Sequence, residues 1–393
     1  MSITAPRTAD AVAPPPAGVV IVNDSPVARA VTAAVIAADG GFRLLGQATG
    51  GLAGVELACR LRPQLVLLDL HMPDIDGVEV TRRIMAACPT RILISSATIR
   101  SNTAYLFNAL KQGALDYTHT PSLKARPGES VTRADLLTAG AGLLRKMRTV
   151  LSLRSGAGTV AVPPPPRPAG GATRSGPAPA PAGNATHHAE VRVVAVGSST
   201  GGPSALATLF GTLPRGLPAV YLVSQHIDPE FTEGLALWLS EETGHPAAVA
   251  RAGEIPIPGH VYLACGGRRN LILSPGGRLQ YESAGDAVYC PNINRMFASV
   301  AASVAAPAAG PRMAPPAAGR APICGVVLTG LGDDGAEGLA LIKAAGGRVL
   351  VQDPATAVVD GMPGAPIRRG IVTHGQTLPE LARLIAHWIE DGR

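Results

Sequence analysis

The chain has 393 residues, 46% of them hydrophobic, which is enough for two ordinary domains that each bury a core. Its net charge of +6 comes mostly from dispersed arginines with no basic run of five or more, so nucleic-acid binding is not expected. No uncharged apolar run approaches the roughly 20 residues of a membrane-spanning helix, so we expect no membrane insertion. The five cysteines form no Cys-x-x-Cys pair, so we expect no disulfide framework, no zinc site, and a reducing cytoplasm as the location.

Glycine (46 residues) and proline (36 residues) are abundant, and much of the proline lies in three Ala/Pro-rich segments. We interpret these segments as a disordered tail at 1–17, a linker at 152–190 and an inserted surface loop at 303–322. Sequence of this kind buries too little apolar area to offset its chain entropy. We therefore predict two compact domains, at 18–151 and 191–393.

In the first domain, short apolar runs alternate with stretches of helical periodicity. The apolar runs predict five strands, at Val19–Val22, Phe42–Leu45, Leu65–Leu68, Ile92–Ile94 and Leu115–Tyr117. Helices are predicted at Pro26–Ala38, Gly51–Leu61 and Gly77–Ala87, with a closing helix at Thr132–Leu151. Strands that alternate with helices indicate an α/β fold with a parallel sheet covered on both faces.

The second domain shows the same alternation. Its apolar runs predict strands at Val193–Val196, Ala219–Val223, His260–Leu263, Leu271–Leu273, Ile323–Leu328 and Arg348–Val351. We therefore assign this half to the α/β class as well, with a doubly wound parallel sheet.

Polar side chains follow three strands of the first domain, where each strand ends. Asn23 and Asp24 follow the first strand, Asp69 follows the third, and Ser95 and Ser96 close the fourth. Functional groups gather at the carboxyl ends of strands in such a sheet. Converging carboxylates with backbone oxygens nearby suit a hard divalent cation such as Mg²⁺, beside which a carboxylate can accept a phosphoryl group.

Four strings in residues 18–122 resemble the phosphoacceptor receiver domains of two-component response regulators: VIVNDS, VLLDLHMPDIDG, ILISSAT and GALDYTHTP. The resemblance implies a flavodoxin-like (βα)5 fold with Asp69 as the phosphoacceptor. It implies Mg²⁺ held by Asp24, Asp69 and the backbone carbonyl of His71. Ser95 would be the hydroxyl that senses the phosphoryl group.

The sequence departs from the receiver pattern at two positions. Asn23 stands where the family has the first member of an acidic pair, and Thr120 stands where it has the lysine of a Lys-Pro pair. Loss of the lysine removes a charge-assisted contact with the phosphoryl group of roughly 1.5–3 kcal/mol. A receiver fold that no longer phosphorylates efficiently is therefore an alternative.

The second domain carries a serine, a histidine and an aspartate after three of its strands. Ser199 lies on the turn GSSTGG, where Pro203 suits the start of a helix and helix amides can hold an oxyanion. His226 follows the next apolar run, and Asp333 and Asp334 follow a later one. A serine nucleophile needs such a base and orienting acid. Two alternatives are a phosphate-binding loop at GSSTGG and an ordinary polar role for His226.

Five strings in this domain resemble the catalytic domain of the chemotaxis protein-glutamate methylesterases: VAVGSSTGGPSAL, VSQHIDPEFTEGLA, VYLACGGRRNL, VVLTGLGDDGAEGL and VQDPATAVVDGMPGAPIRRGIV. Those proteins also carry an N-terminal receiver, so the resemblance spans nearly the whole chain. It implies Ser199 as nucleophile, His226 as general base and Asp334, rather than Asp333, as orienting acid. Thr200 and the backbone near Leu331 would position the substrate; the family has Met where Leu331 stands.

The resemblance implies a cytoplasmic, phosphorylation-regulated serine esterase that acts in chemotaxis adaptation. It would demethylate glutamate methyl esters on the cytoplasmic domains of chemoreceptors, releasing methanol, and would deamidate receptor glutamine. A chemotaxis histidine kinase would donate the phosphoryl group, and the esterase step would need no cofactor. The alternatives are a receiver-linked signalling scaffold without catalysis, and a serine hydrolase or amidase that acts on another modified protein.

Overall fold

The computed structural model describes residues 15–97, 103–123, 130–153, 191–287, 289–304 and 321–391. The chain separates into two compact units, one of residues 1–99 and 112–152 and the other of residues 100–111 and 153–393. The predicted tail and linker lie almost entirely outside the described residues, as does most of the predicted loop at 303–322. No helix in the described ranges is both long and apolar enough to cross a bilayer.

A five-stranded parallel sheet organises the first unit. Its strands are β1 (Ala17–Val22), β2 (Phe42–Ala48), β3 (Leu65–Leu68), β4 (Arg91–Ser96) and β5 (Asp116–His119), in the order β2-β1-β3-β4-β5. The helices between residues 17 and 152 are, in chain order, α1 (Pro26–Asp39), α2 (Gly51–Leu61), α3 (Gly77–Ala87), α4 (Thr103–Lys111), α5 (Arg133–Ala139) and α6 (Ala141–Ser152). Of these, α4 belongs to the residues that group with the second unit. The central strands are buried because helices cover them, and the strand order is that of the flavodoxin-like fold.

The single closing helix predicted at Thr132–Leu151 is wrong, because the structure has two helices there. The first is α5, which begins at a capping box in which Thr132 and Asp135 satisfy each other's backbone amides. Gly140 separates it from α6, and a side chain at Gly140 would clash with Val35 at 2.1 Å. The close approach of α1 decides this position, so the local pattern could not show the break.

A disulfide joins Cys59 on α2 to Cys88 at the end of α3, with a Cα–Cα distance of 5.3 Å. The expectation of no disulfide is therefore wrong for this pair. The two cysteines are 29 residues apart in sequence, and only the packing of α2 against α3 brings them together. Cys265, Cys290 and Cys324 are free.

A six-stranded parallel sheet organises the second unit. Its strands are β6 (Arg192–Ser198), β7 (Ala219–Gln225), β8 (Ala247–Val249), β9 (Val261–Leu263), β12 (Ile323–Val327) and β13 (Arg348–Val351), in the order β13-β12-β6-β7-β9-β8. The helices are α7 (Gly202–Thr212), α8 (Pro229–Thr243), α9 (Ile293–Ser303), α10 (Ala336–Ala344), α11 (Gly361–Arg368) and α12 (Leu378–Glu390). β6, β7 and β12, which carry the predicted serine, histidine and aspartate, lie side by side.

The predicted strand at Leu271–Leu273 exists, but it lies outside the parallel sheet. It is part of β10 (Arg269–Leu273), which pairs antiparallel with β11 (Leu279–Ser283) in a separate hairpin. Leu271, Leu273 and Leu279 are buried against the core that the parallel sheet shares with α9. Apolar content alone does not distinguish this hairpin from a sheet strand, because both bury leucines.

Candidate functional site

Asp69 lies at the carboxyl end of β3 and contacts Asn23 at the end of the neighbouring β1. The register pairs Val22 with Leu68, so the residue after each strand faces its neighbour. Asn23 Nδ2 donates to Asp69 Oδ2 at 2.8 Å, and the backbone amide of Leu70 donates to Asp69 Oδ1 at 2.7 Å. Both carboxylate oxygens of Asp69 therefore accept a hydrogen bond.

Burial raises the pKa of the Asp69 carboxyl, and the nearby negative charge of Asp24 raises it further. The Ser96 hydroxyl and the backbone amides of Leu70 and His71 act in the opposite direction, because they stabilise the ionised form. A partly buried carboxylate with a second, exposed carboxylate nearby is stabilised by a cation placed between the two. The electrostatics of the pocket therefore fit a divalent cation.

The predicted metal set also fits in its chemistry, because carboxylate and carbonyl oxygens are the ligands that Mg²⁺ prefers. The set contains the carboxylates of Asp24 and Asp69. Its third ligand is the backbone carbonyl oxygen of His71, and the His71 ring takes no part. Accordingly, no group of three or more His, Cys, Asp or Glu side chains is placed to hold a metal in the described ranges.

The Asn23 side chain is held in one orientation by bonds at both ends. Its Oδ1 accepts from the backbone amide of Ser25 at 2.8 Å, while its Nδ2 donates to Asp69. Arg29 Nη1 donates to the backbone oxygens of Asn23 and Asp24 at 2.7 and 2.8 Å, which holds the turn. In this arrangement Asn23 offers Asp69 a donor, where an acidic residue would offer a metal a further oxygen.

Ser95 and Thr120 lie together at the carboxyl ends of β4 and β5, where their hydroxyl oxygens are 3.3 Å apart. A hydroxyl thus stands where the resemblance expects a lysine beside the sensing serine. The neighbouring Ser96, which the sequence places at the same strand end but to which the resemblance assigns no role, is buried.

The loop after Asp69 is shaped by two aspartates and a glycine of the motif MPDIDG. Asp74 accepts from the amides of Gly51 and Leu52 at 2.8 Å each, which caps α2 and lowers the Asp74 pKa to about 2. Asp76 caps α3. A side chain at Gly77 would meet the Asp69 carbonyl oxygen at 2.6 Å, so the motif needs glycine where α3 begins.

Ser199 lies on the turn between β6 and α7, and Gln225 braces this turn from the end of β7. Gln225 Nε2 donates to the backbone oxygens of Ser199 at 2.9 Å and His226 at 3.0 Å, and its Oε1 accepts from the Ser198 hydroxyl at 2.6 Å. A side chain at Gly202 would meet Gln225 Oε1 at 1.9 Å. The sequence analysis did not identify Gln225. Its position directly before His226 is the one feature of the sequence that could have pointed to it.

His226 and Asp334 form a hydrogen-bonded pair, with 2.9 Å between His226 Nε2 and Asp334 Oδ2. The Asp334 side chain is 1% exposed and that of His226 is 12% exposed. Nδ1 is the ring nitrogen that does not contact Asp334. No hydrogen bond joins Ser199 Oγ to His226 in the described chain; such bonds often tighten only when substrate binds.

Asp334 and Asn294 cap each other's helices. Asp334 accepts from the backbone amides of Ile293 at 2.9 Å and Asn294 at 3.0 Å, at the start of α9. Asn294 Oδ1 accepts from the amides of Gly335 at 3.0 Å and Gly338 at 2.7 Å, at the start of α10. This exchange holds the Asp334 carboxylate rigidly and supplies positive helix-end potential to its charge. Asn294 was missed, because no local signal connects it to a residue 40 positions away.

Thr329, two residues after β12, holds the other side of the turn that carries Ser199. Its backbone oxygen accepts from the Ser199 amide at 3.0 Å, and its hydroxyl donates to the Thr200 oxygen at 2.9 Å. A side chain at Gly330 would meet Ser199 Cβ at 2.7 Å, so glycine is needed beside Ser199. Thr200 is therefore buried in this turn. The residue that binds the Thr200 oxygen is Thr329, which follows β12, and the sequence did not predict this contact.

Leu331 and Asp333 occupy the turn between Gly330 and Asp334. Leu331 is partly buried, and its backbone amide donates no hydrogen bond within the described ranges. Asp333 is exposed and pairs with Arg369, which also reaches Glu337 at 3.6 Å. The charge of Asp333 is therefore balanced by Arg369. Of the two aspartates, Asp334 is the one that contacts His226.

The first unit has the sheet of a receiver and an acidic pocket around Asp69 at the end of β3, and the second has a serine, a histidine and an aspartate that follow adjoining strands. Together they define a response regulator with a hydrolase output domain. The family model described as CheB methylesterase matches residues 194–385, and that described as response regulator receiver domain matches residues 19–126.

Relatives match nearly the whole chain. The chain is 36% identical over 374 residues to protein-glutamate methylesterase/protein-glutamine glutaminase 2 of Cupriavidus metallidurans, covering 95% of this chain and 98% of that one. It is 37% identical over 377 residues to protein-glutamate methylesterase/protein-glutamine glutaminase 3 of Burkholderia orbicola, with coverages of 93% and 97%. The chain belongs to the protein-glutamate methylesterase/protein-glutamine glutaminase family. This membership confirms the predicted α/β fold and favours an enzyme over a scaffold.

Solved structures match the two halves separately. The catalytic domain of Thermotoga maritima CheB methylesterase is 30% identical, with a TM-score of 0.43, and the match covers 51% of this chain and 97% of that one. The response regulator domain of Thermotoga maritima CheB is 28% identical, with a TM-score of 0.30, and the match covers 36% and 99%.

Proposed function

We propose that this chain hydrolyses glutamate methyl esters on the cytoplasmic domains of chemoreceptors and also deamidates receptor glutamine, from a location in the cytoplasm. The observation that carries the proposal is the hydrogen bond between His226 and Asp334, whose carboxylate is held by two backbone amides of α9. A histidine oriented by a fixed, buried carboxylate is suited to act as the general base for a serine.

In the first step, Ser199 Oγ attacks the carbonyl carbon of the side-chain ester. His226 Nδ1 takes the Oγ proton and delivers it to the leaving methoxide oxygen, so methanol departs and an acyl-serine ester remains. Asp334 stabilises the imidazolium that forms. The Leu331 amide, together with the turn at Thr200, would stabilise the oxyanion.

In the second step, water attacks the acyl-serine ester. His226 takes a proton from the water and returns it to Ser199 Oγ, which releases the glutamate carboxylate. A glutamine side chain follows the same course, except that ammonia leaves in place of methanol. One nucleophile and one oxyanion site therefore serve both reactions.

The receiver would regulate this reaction through phosphorylation of Asp69 by a chemotaxis histidine kinase. Asp24, Asp69 and the His71 carbonyl would hold Mg²⁺, which neutralises charge on the transferring phosphoryl group. Ser95 would contact the phosphoryl oxygens, with Thr120 beside it. The position of Asp69 at the carboxyl end of β3, with the Ser95–Thr120 pair at the ends of β4 and β5 in the same sheet, supports this assignment.

Methanol release from a methylated receptor fragment tests the esterase. We expect Ser199→Ala to reduce the rate by about 10⁴-fold or more, whereas the matched control Ser204→Ala, within α7, leaves it unchanged. Undiminished release by the Ser199→Ala variant would refute the assignment. Comparing receptor fragments with unrelated methylated proteins then separates a receptor enzyme from a hydrolase with another substrate.

Labelling by a small-molecule phosphodonor with Mg²⁺ tests the receiver. We expect labelling of the parent chain that is lost in Asp69→Asn, and a higher rate in Thr120→Lys because a cation then faces the phosphoryl oxygens. Labelling that persists in Asp69→Asn would place the phosphoacceptor elsewhere. No labelling of the parent, with labelling of Asn23→Asp/Thr120→Lys, would show that the two departures silence the receiver.

A further inference from the structure

The His226 ring is covered by a residue to which no role has been assigned above. The Tyr289 ring lies parallel to it, with 3° between the ring planes and 5.3 Å between the ring centroids. These values describe an offset stack, which is a favourable arrangement for two aromatic rings. We propose that Tyr289 is a positioning residue that holds the His226 ring plane for the reaction; this rests on the proposed function.

The Tyr289 ring is itself held at its far end. A Cβ on Gly332 would lie 2.3 Å from the Tyr289 hydroxyl oxygen and 2.9 Å from Cζ, so the ring tip packs directly on the Gly332 backbone. Gly332 has φ +78°, a conformation that favours glycine, and lies two residues before Asp334. Tyr289 therefore bridges His226 and the turn that presents the orienting acid.

The same segment also holds Asp334 through its backbone. Tyr289 lies four residues before Ile293, whose amide donates to Asp334 Oδ2, the oxygen that contacts His226 Nε2. The stretch 289–294 thus acts on both partners: the side chain of Tyr289 faces the histidine, and the amides of Ile293 and Asn294 bind the aspartate. A displacement of this stretch would disturb both together.

The plane of the His226 ring matters because its two nitrogens have different tasks. Nε2 must stay on Asp334 while Nδ1 receives the Ser199 proton, and a rotation of the ring moves both nitrogens at once. The Tyr289 ring face opposes such rotation by stacking, and it also offers π-electron density to the imidazolium that forms during acylation. Since small misplacements of reacting groups cost up to about 100-fold in rate, the stack is expected to affect kcat.

The test compares Tyr289→Leu, which keeps an apolar cover, with Tyr289→Phe, which keeps the ring. In methanol release by the full chain, we expect Tyr289→Leu to lower kcat about 10- to 100-fold with KM changed less than twofold. Tyr289→Phe should stay within about threefold of the parent. In NMR spectra, the His226 ring protons should carry an upfield ring-current shift in the parent and in Tyr289→Phe, and lose it in Tyr289→Leu. Thermal unfolding of each variant monitors folding.

Three outcomes would overturn the proposal: kcat of Tyr289→Leu within twofold of the parent, an equal loss in Tyr289→Phe, or no ring-current shift on His226 in the parent. The ring-current shift is measured on the parent, so this test still decides the question if the Tyr289→Leu variant does not fold. Sulfonylation of Ser199 by phenylmethylsulfonyl fluoride needs an activated hydroxyl but no receptor. A parent that is sulfonylated yet releases no methanol would refute the proposed function, while slower sulfonylation of Tyr289→Leu would still support the positioning role.

Discussion

Replacing Asp334 by asparagine exchanges one carboxylate oxygen for an NH₂ group and removes the negative charge beside His226. The carboxylate accepts three hydrogen bonds, from His226 Nε2 and the Ile293 amide on Oδ2 and from the Asn294 amide on Oδ1. An asparagine has one acceptor oxygen and a donor NH₂ group. One of the three donors must therefore face another donor, whichever way the amide is turned.

The two orientations of the new amide have different costs. With its oxygen in the Oδ2 position, it keeps the bonds from His226 and Ile293 but leaves the Asn294 amide unpaired, which costs about 1–3 kcal/mol of folding stability. With its NH₂ group there, it can donate to His226 Nε2, which forces the proton onto Nδ1. That tautomer cannot accept the proton of Ser199. In either orientation the negative charge that stabilises the imidazolium is lost.

We therefore expect Asp334→Asn to lower kcat for methanol release by about 10³- to 10⁴-fold, with a free energy of unfolding reduced by about 1–3 kcal/mol. Asp333→Asn is the matched control, since this neighbouring carboxylate is exposed and pairs with Arg369 instead of His226. Its kcat should stay within about twofold of the parent, because exposed ion pairs contribute little. An Asp334→Asn variant within tenfold of the parent, or equal losses in both variants, would refute the role of Asp334.

Two further predictions concern the first unit. Cys88→Ser should lower its free energy of unfolding by about 3–4 kcal/mol in oxidised protein, because the disulfide with Cys59 restricts the unfolded chain, and urea denaturation should show no such difference once dithiothreitol is added. If the urea midpoint of the parent were the same with and without dithiothreitol, this prediction would be contradicted. Asp74→Ala should cost about 1 kcal/mol at neutral pH, since Asp74 caps α2 at Gly51 and Leu52. Because the folded-state pKa of Asp74 is lowered from 3.8 to about 2, this contribution is present above 3.8 and disappears as the pH falls to about 2; a pH-independent difference would argue against the cap.

Much of the candidate site could be predicted because the relevant signals are local. Asp69, Ser199 and His226 each follow directly after an apolar run, and parallel strands bring such positions to one edge of a sheet. The five strands of the first sheet were predicted for the same reason. The chemistry-bearing residues were therefore visible from type and place along the chain.

The groups that hold these residues could not be predicted, because their partners are distant in sequence. Asn294 and Asp334 cap each other's helices across 40 residues, and Tyr289 stacks on His226 from a loop that no motif connects to it. Cys59 and Cys88 gave no pairing signal, since only the packing of two helices brings them together.

The sequence by itself determined the fold class and the order of the two domains, because these depend on hydrophobic periodicity. It also predicted the acidic pocket and the serine, histidine and aspartate, from short motifs at strand ends. Only the tertiary structure decided which nitrogen of His226 meets Asp334, that Asn23 donates to Asp69, and that Asp333 pairs with Arg369. Those outcomes depend on the direction of side chains across elements far apart in sequence. Directional hydrogen bonds, unlike apolar burial, leave no periodic trace in the sequence.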